Sequence, residues 1–274
     1  MNKIKIVTDS TSYISKDFVE LNDIKVVPLS YVFDGETYTE GFKGEFDEFF
    51  HKLETTRLFP TTSQPSTGEF YNVFKECLEE GNEVIAILLS SKLSGTYNSA
   101  LLAKNMLGDK RVTIIDSETS ASNLRFLVED ALELASKGKS SQEIAEYLNK
   151  KKKEMHIFLT TGSLEYLRRG GRLSSVGSTV GNLLNIKPII ELQDGELKLI
   201  GKVRGTNKAL SYMINKIPTN VQKISICHIS NMDVAEKLKT ELESKFSEAT
   251  ISIDDLGPVI GAHLGPRTLG VVYY

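Results

Sequence analysis

The chain contains no tryptophan, two cysteines and four histidines in 274 residues. Cys77 and Cys227 stand far apart with no CxxC spacing, so a disulfide scaffold is excluded and both read as reduced thiols on core faces. A large excess of charge of one sign is also missing. Formal net charge is −3 and the isoelectric point about 5.9. With basic residues spread along the chain, nucleic acid gains no electrostatic footing. No apolar run approaches the roughly eighteen residues that cross a bilayer. Hydrophobic residues still make up 40% of the chain, ample for buried cores, so disorder is excluded. Lys3-Ile4-Lys5-Ile6-Val7 reads directly as a strand with no signal-peptide pattern before it. The expectation is a soluble cytoplasmic protein that must carry anything lipid-like inside itself.

The first half alternates strand and helix patterns. Strands are expected at Ile4–Val7, Ile24–Leu29, 84–89 and Val112–Ile115, with Ser30–Phe33 extended ahead of a turn at Asp34-Gly35. Helices are expected from Phe46 to Leu53, from Ser66 through Leu78, after Thr96 toward Met106, and from Leu124 to Ala135. Ser66-Thr67-Gly68-Glu69 has capping-box spacing, and Ser140 to Glu143 repeats it before another helix. Alternation of this length predicts a parallel sheet flanked by helices. After His156–Thr161 the texture changes. A short helix beginning near Ser163 ends in Arg168-Arg169-Gly170-Gly171-Arg172, followed by the small-residue stretch Ser174–Ser178 and then Leu183-Leu184. Asp194-Gly195 between two apolar runs is a two-residue hairpin signal. A helix at 209–214, strand Ile224–His228, helix 234–246 and strands at 250–253 and 269–273 complete the pattern. The fold class is therefore α/β in two domains, an N-terminal parallel-sheet lobe over 1–158 and a C-terminal α+β lobe with antiparallel strands over 159–274.

The most informative segment is Ser90-Ser91-Lys92-Leu93-Ser94-Gly95-Thr96-Tyr97, which joins a buried-strand pattern to a helix. A hydroxyl-rich loop between a strand end and a helix start gathers free N–H groups at the dipole's positive end and suits an anion. It carries no histidine beside the serines, no carboxylate pair and no Walker lysine. That composition suits holding an anion rather than transforming one. Thr8-Asp9-Ser10, Thr61 through Ser66 and Asp116-Ser117 are similar loops, and strand carboxyl ends are where such sheets bind ligands. Each also reads as ordinary turn and cap chemistry. Asp9 fits a metal ligand, a general base or a turn aspartate, and no motif sets a second carboxylate beside it, so no metal is expected. His263 lies in Gly/Pro-rich sequence read as loop, where a ligand-facing and a structural role are equally open. Arg168, Arg169 and Arg172 form either a solvated helix end or a basic patch for an acidic partner.

Together these residues resemble the DegV family of bacterial fatty-acid-binding proteins. The resemblance spans essentially the whole chain. It rests on Thr8-Asp9-Ser10-Thr11-Ser12, Thr62-Ser63-Gln64-Pro65-Ser66, the segment Ser91 to Ala100, Leu164 to Arg172, Lys187-Pro188-Ile189, Gly201 to Gly205 and Gly261 to Pro266, all in family order. The resemblance implies a fatty acid buried between the two lobes, its carboxylate held by Thr62 and Ser94 with His263 nearby. Ser63, Gly95 and Thr96 then support the head-group loops. Arg169 and Arg172, with Arg204, are implicated in docking a fatty-acid kinase that phosphorylates the bound carboxylate. Neither catalytic activity in this chain nor a cofactor is implied. Tyr13 replaces a usual acidic residue, Ser120-Ala121-Ser122-Asn123 replaces a glycine-bearing run, and Gly265-Pro266-Arg267 replaces Gly-Pro-Gly. Arg267 could alter head-group electrostatics or docking.

The physical reading agrees. Palmitate's roughly fourteen methylenes, at about 0.8 kcal/mol each, give an upper limit of about 11 kcal/mol from tail burial. Association costs are subtracted from that. Neutral hydroxyl and N–H donors then suffice for the carboxylate, with no arginine expected in the pocket. The rival reading is a phosphotransferase that uses the hydroxyl loops for phosphate, and the missing Walker sequence counts against it. A pure interaction protein is the remaining alternative.

Overall fold

The computed structural model describes residues 3–56, 58–173 and 186–274. Ser174–Ser178 and Leu183-Leu184 lie outside the described residues. The chain opens with β1 (Ile4–Asp9), α1 (Lys16–Asn22), β2 (Lys25–Val27), β3 (Ser30–Phe33), β4 (Glu36–Thr39) and α2 (Asp47–Thr55). Next come β5 (Thr61–Ser63), α3 (Thr67–Glu79), β6 (Glu83–Leu88), α4 (Thr96–Leu107), β7 (Val112–Asp116), α5 (Ala121–Ser136) and α6 (Ser141–Lys151). The remainder is β8 (His156–Thr160), α7 (Glu165–Gly170), β9 (Ile186–Gln193), β10 (Glu196–Arg204), α8 (Thr206–Ile214), β11 (Lys223–His228), α9 (Met232–Lys245), β12 (Thr250–Asp255), α10 (Pro258–Leu264) and β13 (Leu269–Tyr273).

The first sheet is parallel, in the order β2-β1-β6-β7, with buried Val, Ile and Leu runs as expected of strands covered on both faces. One face packs on α5 and α6 through Ile6, Ile85 and Leu127, the other on α3 and α4 through Phe70, Phe74 and Ala100. The second sheet, β10-β9-β8-β13-β11-β12, is antiparallel except for its β11–β12 pair. The chain is thus α/β with a parallel sheet and a separate mixed sheet. Both capping boxes form, at Ser66–Glu69 and Ser140–Glu143. Asp194 and Gly195 both take positive φ, 50° and 80°, which suits the tight turn joining β9 to β10.

Three expectations change. The expected division at 158/159 falls inside β8, which pairs along its whole length with β13, so the passage between sheets comes just before His156. Thr61–Ser63 is a strand rather than a loop. It joins β3 and β4 in a small antiparallel sheet, with Thr62 opposite Tyr31. The tail segment around His263 is the helix α10, which begins on Pro258 at its first turn, where a missing N–H costs nothing.

Candidate functional site

The three sheets converge on a cavity of about 850 Å³, its open mouth included. The first sheet and its loops contribute Thr11, Leu89, Leu93 and Ser94; the small sheet contributes Thr62. The second sheet supplies Ile157, Leu159, Leu192, Leu197 and Val272, and α10 supplies Ile260, His263 and Leu264. The walls are overwhelmingly aliphatic. Such walls suit an apolar guest with few polar groups.

One part of the wall is polar. The Thr62 hydroxyl is 2.8 Å from His263 Nε2. His263 Nδ1 is buried without a partner among the described residues. A Cβ on Gly170 would fall 2.2 Å from that nitrogen, so glycine is required at this position for the imidazole to pack against α7. Burial, reinforced by the charge of Arg172, pushes the His263 pKa down to about 4, so the imidazole is neutral at pH 7. Arg172 lines the cavity as well, half-buried. Its Nε donates to the Leu93 carbonyl at 3.1 Å and its Nη1 to the Gly170 carbonyl at 2.5 Å. No carboxylate pairs with it among the described residues, and burial lowers its pKa. Ser94 follows directly on Leu93. Its hydroxyl lies 2.9 Å from that of Thr96, the buried first residue of α4, and accepts from the Thr96 N–H at 3.3 Å.

Thr62, Ser94 and His263 are therefore brought together. Thr96 supports Ser94, Gly95 precedes α4 with the Gln64 amide packed close by, and Ser63 faces outward, exposed. The basic cluster separates. Arg172 points into the cavity, contrary to the expectation of an arginine-free pocket, because its side chain bridges the Leu93 and Gly170 carbonyls. Arg169 remains on the surface, 3.8 Å over the Phe59 ring and 2.6 Å from Glu165. Arg204 is exposed at the end of β10. Arg267 is exposed and does not line the cavity.

Asp9 accepts from the Thr11 N–H and hydroxyl, at 3.0 and 2.6 Å, and from the Leu89 N–H at 2.8 Å. It is the turn aspartate among the readings left open. Sequence reasoning missed Arg172 as a cavity residue, and it missed Glu40. Glu40 is buried and accepts from the Ser10 hydroxyl at 2.6 Å and from the Val259 N–H at 2.8 Å, tying the first sheet to the start of α10. Burial raises its pKa to about 7. A long-range contact of this kind leaves no local sequence signal.

The family model described as "Uncharacterised protein, DegV family" matches residues 3–274. The chain belongs to the DegV family. A DegV domain-containing protein of Halalkalibacterium halodurans, BH3627, is 39% identical over 280 residues, covering 100% of this chain and 99% of that protein. Among solved structures, DegV of Bacillus subtilis, described as a fatty acid binding protein, is 33% identical with a TM-score of 0.89, covering 100% of this chain and 99% of that one. A DegV family protein of Thermus thermophilus, described for its fatty acid binding, is 30% identical with a TM-score of 0.90, covering 99% of both chains. Among the described residues of this DegV protein, no helix is long and apolar enough to cross a membrane.

Proposed function

We propose that this DegV protein binds a long-chain fatty acid such as palmitate in the cytoplasm. It shields the tail between its lobes and presents the carboxylate to a separate fatty-acid kinase for acyl-phosphate formation. The observation that carries the reading is Arg172, a half-buried cation without a carboxylate partner among the described residues, beside Thr62, Ser94 and His263 on an aliphatic cavity. A buried cation of this kind favours an anion, and a carboxylate satisfies it best through charge-assisted hydrogen bonds. The apolar walls then take the tail, whose burial supplies most of the affinity. The fatty acids bound by the solved relatives support the same assignment.

In this reading Thr62, Ser94, Arg172 and His263 hold the carboxylate, with Thr96 supporting Ser94. Arg169 and Arg204, exposed, belong to the face that meets the kinase. The chain itself carries out no bond-making step. A sugar or nucleotide phosphate, the guest of the phosphotransferase alternative, would set its hydroxyls against Leu159, Leu192 and Leu197, where nothing compensates their desolvation. Organic extraction of the purified protein followed by mass spectrometry tests the assignment. Stoichiometric fatty acid is expected, and a nucleotide or sugar phosphate in its place would overturn it. Acyl-phosphate formation should then require ATP, a fatty-acid kinase and this protein together, and turnover without the kinase would refute the carrier role.

A further inference from the structure

Gly270 sits within β13, a strand paired on both edges at the centre of the six-stranded sheet. Glycine weakens such a strand, since it loses the most backbone freedom on folding and packs no side chain. Neither usual reason for tolerating it applies. Gly270 is absent from the positive-φ glycines, so its backbone suits any residue. A Cβ there would sit 3.5 Å from the Leu159 Cβ and the Phe158 carbonyl and 3.8 Å from the Cys227 Cβ, which is ordinary contact. Alanine would therefore fit. What remains is the third reason, close approach of a ligand.

The position supports it. In register, Gly270 lies between Leu159 on β8 and Cys227 on β11, and all three line the cavity. Its neighbours Leu269 and Val271 pack into the core on the opposite face of the sheet, whereas Val272 shares its face. The missing side chain thus leaves a trough in the cavity floor, walled by Leu159 and Cys227. Cys227 is held in place, its Sγ 3.1 Å from the Ser122 hydroxyl, which donates to Asp254 at 2.8 Å. The cavity residues in register with Gly270, Leu159 and Cys227, offer an apolar wall and no charged donor, which suits an acyl chain and not its carboxylate.

We propose that Gly270 is a specificity-determining residue, whose trough admits the acyl chain and sets the longest chain the protein accepts. The proposal rests on the fatty-acid reading above. The test is displacement of a fluorescent fatty acid by lauric, myristic, palmitic and stearic acids from the parent, Gly270→Ala, Gly270→Val and Leu159→Ala, with melting temperatures recorded alongside. In Gly270→Val the affinity for stearic relative to lauric acid should fall by about tenfold, within the range over which apolar pockets resolve a methylene. Gly270→Ala should show a smaller fall in the same direction and melt no lower than the parent. Leu159→Ala, which removes one wall of the trough, should shift the ratio toward stearic acid. Folded variants that keep the parent's ratio would overturn the proposal. If Gly270→Val fails to fold, an unmoved ratio in both Gly270→Ala and Leu159→Ala overturns it equally. A parent that binds none of the four acids would sink the fatty-acid reading itself, whereas a binding parent with unmoved variants sinks only the role of Gly270.

Discussion

Thr62 and His263 stand 201 residues apart in the chain and 2.8 Å apart in the fold, a three-residue strand meeting the last turn of α10 in the cavity wall. Each is a hydrogen-bond partner of the other. An arriving carboxylate would compete for both. Thr62→Val and Ser94→Ala should each weaken fatty acid binding by about 1–3 kcal/mol, the scale of leaving a buried charged group short of a partner. Titration with a fluorescent fatty acid checks this, and parent-like affinity in both variants would remove these hydroxyls from the site.

The two arginines of the α7 end should behave differently. Arg172→Ala removes the cavity's cation and should cost fatty acid affinity outright, with Arg172→Lys an incomplete rescue because a lysine ammonium cannot reproduce the fork of donors. Arg169→Ala should leave affinity unchanged while slowing phosphorylation by the kinase. That loss should resemble the effect of added salt, since exposed charges are screened within about 8–10 Å in ordinary buffer. Affinity and kinase turnover measured on both variants separate the roles. An Arg169→Ala protein that loses its fatty acid would reverse the assignment.

The pH dependence of stability follows from Glu40 and His263, with opposite signs. Burial raises the Glu40 pKa from 4.5 to about 7, so the folded chain takes up a proton before the unfolded one does. Its contribution is full below about 4.5 and is lost as pH rises through about 7. His263, depressed from 6.5 to about 4, contributes stability above 6.5 that disappears as pH falls through about 4. Asp9, raised to about 6 by burial, adds to the Glu40 trend. Glu40→Gln should therefore reduce the gain in melting temperature on moving from pH 8 to pH 5, and His263→Gln should enlarge it. Melting curves of both variants that track the parent across this range would contradict the assignment.

Ligand binding adds a second pH effect. A carboxylate beside His263 favours the imidazolium, so binding should draw in a proton and tighten as pH falls from 7 toward 5. His263→Gln keeps a donor but cannot titrate, and its affinity should show less of that rise. His263→Ala should lower acyl-phosphate formation more than affinity, because tail burial dominates binding while the reacting oxygen is positioned by the head-group contacts alone. Equal losses in both would make His263 an ordinary binding residue.

Arg267 takes the left-handed backbone, φ 59°, where the family pattern carries glycine. Its side chain is exposed and outside the cavity. Arg267→Gly should therefore stabilise the fold by about 0.5–1 kcal/mol through relief of local strain. The urea midpoint should rise with no change in ligand affinity, and a fall would show that the side chain has stabilising contacts.

The parts of this fold legible in the sequence are those that local chemistry dictates. Ser66 and Glu69 announce α3, Asp194-Gly195 announces the β9–β10 turn, and the apolar runs around Ile6 and Ile85 announce a covered parallel sheet. Helix α10 was hidden because its composition is that of a loop, with Gly257, Pro258 and Gly261 in sequence. What holds it is distant: Glu40 at its first turn, and Phe49 and Phe50 close beside Gly261. Strand β5 was hidden because three residues carry no periodicity and only pairing with β3 makes them a strand. The inward turn of Arg172 was hidden for the same reason, since the Leu93 carbonyl that draws its Nε lies 79 residues away. At the cavity, Thr62, Ser94 and His263 lie in segments whose sequence already singles them out, whereas the place of Arg172 depends on the fold.

The strands also follow an order with a practical side. Every strand of the first and small sheets precedes Met155, and every strand of the mixed sheet follows it. A break in the turn at Lys152–Glu154 would leave the strand pairing of all three sheets intact and divide the cavity, together with contacts across it such as Glu40 with Val259 and Ser122 with Asp254. Thr62 and Ser94 would go with one piece, Arg172, His263 and Gly270 with the other. An acyl chain that needs both walls would add to the contacts that join the halves, stabilising their union by mass action. The order of strands thus lends itself to a two-piece reporter in which fragment reassembly measures free fatty acid.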